Sequence, residues 1–188
     1  MAIFKSAGHS AVKGKNYDPG AVGKTTVTIQ VTEAELTQDF ENLVLAELTK
    51  KGFKYITDKP DESLGEYLRR IQTGSGSVVL ESHFDAAASS SATGTTAIIG
   101  NDADRLDKAF AKELVDTTSS ILGIKNRGVI SEGQSARGRL GLMRKEGIVA
   151  LLEIGFISNP NDLAAYQKNK YKLASAIADI LIKYEKMI

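Results

Sequence analysis

Apolar positions along this 188-residue chain fall into two patterns: short runs rich in β-branched residues, and longer stripes that recur every three or four positions. The short runs predict strands over 3–7, 53–57, 78–83, 95–99 and 148–153, with a further β-branched stretch over 25–31. Leu140-Gly141-Leu142-Met143 reads as a short edge strand. The stripes predict helices. One opens at Thr32, carries Leu36, Phe40, Leu43, Val44 and Leu48 on one face, and stops at Lys50-Lys51-Gly52. Others are expected over about 61–71 and 101–122. The last segment predicts two, a short helix starting at Pro160-Asn161-Asp162 and a terminal one over 172–184. Ala86 to Gly94 is small and polar and reads as a mobile loop. Strands alternating with helices predict an α/β domain with a largely parallel sheet, and the length suits one domain spanning residues 1–188.

Composition narrows the function. Lys plus Arg is 24 and Asp plus Glu is 23, a net charge of +1, so the chain lacks the basic footprint of a nucleic-acid binder. Cysteine is absent, which excludes disulfides and thiolate metal ligands. No window approaches the roughly 18 to 20 apolar residues that insert across a bilayer. Met1-Ala2-Ile3-Phe4-Lys5 lacks the pattern of a secretory signal. The chain is therefore expected to be made in the cytoplasm, or secreted if a leader was removed. Gly20-Ala21-Val22-Gly23-Lys24-Thr25 imitates a phosphate-binding loop, but Asp18 stands where that motif needs its first Gly. The residues after Lys24 are β-branched and do not open a helix. No nucleotide is expected there.

The two histidines carry the candidate chemistry. His9 and His83 each end a predicted strand, and Glu153 ends another. In parallel α/β folds such ends gather in one crevice. Two imidazoles and a carboxylate delivered there suggest a zinc site with an open coordination position; the alternative is that each His satisfies a buried backbone group. Without Cys the third ligand has to be a carboxylate, and Glu33 and Glu35 in the first helical turn are the candidates, although acidic residues also favour that position as caps. Glu153 is the candidate proton carrier, its alternative being a buried carboxylate paired with Arg127 or Arg139.

Four segments in order resemble one family. Ala7-Gly8-His9-Ser10 followed by Asp18-Pro19-Gly20-Ala21-Val22-Gly23, then Ser82-His83-Phe84-Asp85-Ala86, Asn126-Arg127-Gly128-Val129, and Leu151-Leu152-Glu153-Ile154-Gly155-Phe156-Ile157-Ser158-Asn159-Pro160 are similar to the zinc-dependent N-acetylmuramoyl-L-alanine amidases of the amidase-3 type. The resemblance covers nearly the whole chain. It implies a twisted, mostly parallel sheet of about six strands with helices on both faces. It implies a peptidoglycan hydrolase that cleaves the amide between N-acetylmuramic acid and L-alanine of the stem peptide by zinc-activated water. His9, Glu33 and His83 become zinc ligands and Glu153 the catalytic acid/base. Glu33 fits the family pattern better than Glu35, with Leu36 three places on and Thr37 where Asn is usual. Asp85 replaces a common Asn and Glu81 a usually apolar residue. Asp85 and Arg127 are the expected substrate contacts, and Lys13, Lys15 or Lys24 can meet the acidic stem peptide. Peptidoglycan is the expected partner and a monomer the expected state, as in a phage endolysin or a trimmed bacterial autolysin. The alternatives are a zinc peptidase acting on another stem-peptide bond and a non-catalytic peptidoglycan-binding domain.

Overall fold

The computed structural model describes residues 2–24, 30–59 and 61–188. Among the described residues eight strands and four α-helices follow in the order β1 (Ala2–Ala7), β2 (Val22–Lys24), β3 (Gln30–Thr32), α1 (Glu33–Lys50), β4 (Tyr55–Thr57), α2 (Leu64–Arg70), β5 (Ser77–Asp85), β6 (Thr95–Ile99), α3 (Arg105–Leu122), β7 (Asn126–Ser131), β8 (Ile148–Phe156) and α4 (Pro160–Glu185). Six strands form one sheet in the order β4-β1-β5-β8-β6-β7, while β2 and β3 make a separate antiparallel pair. Every pairing in the large sheet is parallel except β6 with β8. The chain is a single α/β domain with a mostly parallel mixed sheet, as its sequence pattern predicts.

Period two along each strand divides the core. Ile3, Val78, Leu80, Ala97, Ile99, Ile148, Ala150 and Leu152 face one way and pack under α1, α3 and α4. Phe4, Val79, Ile98, Val149 and Leu151 face the other way, under Tyr67 and Ile71 near α2 and under Leu142 and Met143. Helix starts are fixed by side-chain caps: Thr32 with Glu35, Ser63 with Glu66, and Asp104 with Asp107 form reciprocal boxes, and Asn159 caps α4 just before Pro160. No helix among the described residues is long and apolar enough to cross a membrane.

Several expected elements are revised. Leu140–Met143 is not a strand; Gly141–Arg144 forms a 3-10 turn, because both large side chains there point down into the second core. The two C-terminal helices are one, α4. Asn126–Ser131 is an edge strand. The predicted strand over 25–31 lies mostly outside the described residues, and its end contributes to β3. The loop after β5 is pinned: the Ala87 N–H donates to Ser158 Oγ, and buried Asp162 accepts from Thr93 Oγ1 and the Gly94 N–H.

Candidate active site

The chemistry sits on the α2 side of the sheet, at the carboxyl end of β1, β5 and β8. Alternation puts Glu81 and His83 of β5 on the same face as Val79, and Glu153 of β8 on the same face as Leu151. His83 and Glu153 are direct register partners. Neither residue closes its strand: β5 runs on to Asp85 and β8 to Phe156. His9 lies two residues beyond β1, where the Gly8 N–H extends the ladder by one bond to Ser82 O.

The loop after His9 turns back through a bridge between Ser10 and Asp18. Asp18 Oδ2 then lies 2.8 Å from His9 Nδ1. That contact occupies Nδ1 and leaves Nε2 as the nitrogen open to a ligand; it is buried without a hydrogen-bond partner and lies 3.2 Å from Glu33 Oε2. Glu33 is the first residue of α1. The backbone of Pro19 and Ala21 accepts the Ala34 and Glu33 N–H groups, so the same loop that carries Asp18 wraps the helix start. Gly20, at φ +62°, is needed there, since a Cβ would stand 2.7 Å from both Glu33 Oε2 and His9 Cδ2. Glu35 is committed elsewhere: its Oε2 accepts from the Thr32 N–H at 2.8 Å in the cap of α1.

Glu33 accepts from the Ala21 N–H with one oxygen and from the Phe84 N–H with the other, which also lies 2.9 Å from His83 Nδ1. Burial alone would raise its pKa, but the hydrogen bond from His83 and the His9 ring close beside it outweigh burial and hold its carboxyl well below the usual carboxylate range. One ligand atom each from His9, Glu33 and His83 lies within 4.8 Å of the others. Donors about 2.1 Å from a tetrahedral centre stand about 3.4 Å apart, so the spacing suits one small cation. The orphaned Nε2 of His9 and the nitrogen–oxygen donor set fit the same conclusion: this group can hold a metal ion.

Glu153 differs from these three. Its Oε2 is buried with no hydrogen-bond partner. Burial pushes its carboxyl up to about 7; the charge of His83 opposes this, Asp85 and Glu33 add to it, and Arg137 opposes it. A carboxyl poised there can both take and return a proton near neutrality. Neither Arg127 nor Arg139 pairs with it among the described residues.

Residues 3–183 match the family model for N-acetylmuramoyl-L-alanine amidase. The chain belongs to that family. It acts as a peptidoglycan hydrolase of the amidase class, with a candidate His-Glu-His metal site. The amidase is similar in structure to the catalytic domain of CwlV, an N-acetylmuramoyl-L-alanine amidase from Bacillus (Paenibacillus) polymyxa var. colistinus, with 20% identity, a TM-score of 0.76 and 100% of each chain covered. It is similar to the putative N-acetylmuramoyl-L-alanine amidase from Neisseria meningitidis, with 28% identity, a TM-score of 0.73, and 97% of this chain and 94% of that one covered. The catalytic domain of an endolysin targeting Clostridia difficile aligns at 18% identity and a TM-score of 0.72 over 97% of each chain. No curated protein sequence matches the chain.

In this amidase a cavity of about 620 Å³ opens over His9, His83 and Glu153, with Lys125, Arg127 and Arg137 among its other walls. Asp85, half-buried at the end of β5, has its pKa raised by burial, with the charge of Arg127 acting against the rise. Arg127 is braced, its guanidinium 5.1 Å from the centre of the Phe156 ring. Arg137 rides on a loop clasped by Glu132, a fully buried carboxylate that accepts from the Leu140 N–H and pairs with Arg144. Sequence reasoning missed Asp18 and Arg137 as parts of the site, and marked Glu81 only as a departure from the family pattern, not as the partner of His83. Glu81 had a signal, its spacing of two from His83. Asp18 lies within a segment that resembles the family, but its contact with His9 depends on the loop turning back and has no local signal. Nothing in the pattern around Arg137 marked it.

Proposed function

We propose that the whole chain, residues 1–188, is one catalytic domain that hydrolyses the amide between the lactyl group of N-acetylmuramic acid and L-alanine, with zinc held by His9, Glu33 and His83. Zinc at that position supplies Lewis acidity to the scissile carbonyl and to the attacking water. His9 and His83 present neutral ring nitrogens to it, and Glu33 offsets part of its charge. Glu153 takes the proton of the attacking water at its unpartnered Oε2 and passes it to the departing alanine nitrogen. Asp85 and Arg127 contact the substrate beside the scissile bond. Arg137 faces the carboxylates of the acidic stem peptide from the far wall. The domain works as a monomer on the cell wall.

The observation that carries this reading is the pairing of Glu153 with His83 across β5 and β8, which sets a buried carboxyl in the same cavity as His9 and His83, two members of the group that could hold a metal. A binding module has no use for a buried carboxyl titrating near neutrality. The test is mass spectrometry of fragments from purified peptidoglycan. Stem peptides with a free L-alanine amine and intact glycan strands are expected, lost with a chelator and restored by zinc. Cleavage within the peptide identifies a peptidase instead, and unaltered peptidoglycan a binding domain.

A further inference from the structure

We propose that Glu81 is a positioning residue for the metal centre: it ligates nothing itself but fixes the His83 ring and strengthens His83 Nδ1 as a donor. The inference rests on the zinc reading above. Glu81 and His83 are two apart on β5 and so share a face. Glu81 Oε1 lies 2.8 Å from His83 Nε2, and its other oxygen lies 3.4 Å from Ser6 Oγ on the neighbouring strand, Ser6 being its register partner. Both ring nitrogens face carboxylates, Nε2 toward Glu81 and Nδ1 toward Glu33; with the Nε2 proton held by Glu81, Nδ1 is the nitrogen that would give up its proton to a metal beside Glu33. The ring has little room to turn away, because the backbone of Gly8 stands against it and a Cβ there would meet His83 Cε1 at 2.1 Å.

A carboxylate on the far nitrogen of a ligand His sets its tautomer and raises its basicity. His9 carries the same device in Asp18, but the two differ in exposure: the Asp18 side chain is 62% exposed and that of Glu81 is 3%. Solvent screens the first charge far more than the second. Glu81 is therefore the stronger of the two supports. A buried carboxylate is costly to keep without a task, and this one sits where it adds negative potential under an incoming cation.

The test is zinc affinity of the full chain by competition with a chelator, comparing E81A, E81Q and D18A, with cobalt(II) absorption as a second reading of the donor geometry. E81A is expected to bind zinc about 10- to 100-fold more weakly than the parent. E81Q keeps an acceptor for Nε2–H and is expected to recover part of that loss. D18A should lose less than E81A. An E81A chain that binds zinc within twofold of a parent holding one zinc overturns the inference, as does an E81Q chain no better than E81A. A parent chain that takes up no zinc overturns the metal reading itself, and this inference with it.

Discussion

The two faces of the sheet are built from the same strands and end differently. Under α1, α3 and α4 the face is apolar nearly from end to end, interrupted by a buried ion pair between Lys5 and Glu41. On the other face, Phe4, Val79, Ile98, Val149 and Leu151 are covered, but further along the same strands come Ser6, Glu81, His83, Thr96 and Glu153. The cover explains the change. At about 1.5 Å per residue, the 26 residues of α4 span about 39 Å, whereas the seven of α2 reach only about 10 Å. The cavity begins at Leu64, the first residue of the short helix, and there polar side chains meet one another and are open to a substrate.

The sharpest break is His83→Ala. Removing this proposed metal donor from the open face is expected to abolish zinc binding and activity together, read by metal content and by muramyl-peptide turnover. Next is Glu153→Ala, expected to keep the zinc and lower turnover by about 10² to 10⁴, roughly 3 to 5 kcal/mol in the barrier. Its thermal midpoint should be unchanged or higher, because a buried carboxyl oxygen without a hydrogen-bond partner is lost. If Glu153→Ala strips the zinc, Glu153 belongs with the donors instead. One residue away, on the closed face, Leu152→Ala should do the opposite: about 2 to 5 kcal/mol less stability in urea unfolding, with kcat per folded molecule retained. Equal effects of the two neighbouring substitutions on stability and rate would erase the distinction between the faces. The smallest effect is expected from Arg137→Ala, a rise in KM for an acidic stem peptide of about 3- to 10-fold, in line with about 1 kcal/mol for an exposed charge contact, at little change in kcat.

The elements with a strong period were legible in the sequence, and the departures have particular causes. The sequence pattern predicts two helices where the fold has one, α4, whose buried stripe through Leu163, Tyr166, Leu173 and Ile177 passes Lys170. In the fold Lys170 is mostly buried along its stem and its ammonium reaches Asp39 at 2.8 Å, so a cation takes an apolar position without ending the helix. Leu140–Met143 is a four-residue apolar run, too short for period to separate a strand from a tight turn. The choice between Glu33 and Glu35 did have a local signal: Thr32-Glu33-Ala34-Glu35 spells a capping box, which commits Glu35 to the helix start. The meeting of His9 with Glu33 was beyond local reading, because it depends on the loop through Asp18 and Gly20 folding back across the start of α1.

The place of β8 bears on how the amidase comes into being. It is the last strand in the chain and lies in the middle of the sheet, between β5 and β6. During synthesis β1, β4 and β5 can assemble, and β6 can pair with β7, but the two groups have no common neighbour until residue 156 is available. Pairings such as Val78 with Ile148 close long loops and are slow for that reason. In the interval the growing chain carries two open strand edges rich in valine and isoleucine, which are sites for aggregation. It also already holds His9, Glu33 and His83 but lacks Glu153. On the proposed mechanism, a nascent or truncated chain carries its metal donors before its proton carrier, so hydrolytic competence arrives in one late step with the insertion of a single strand.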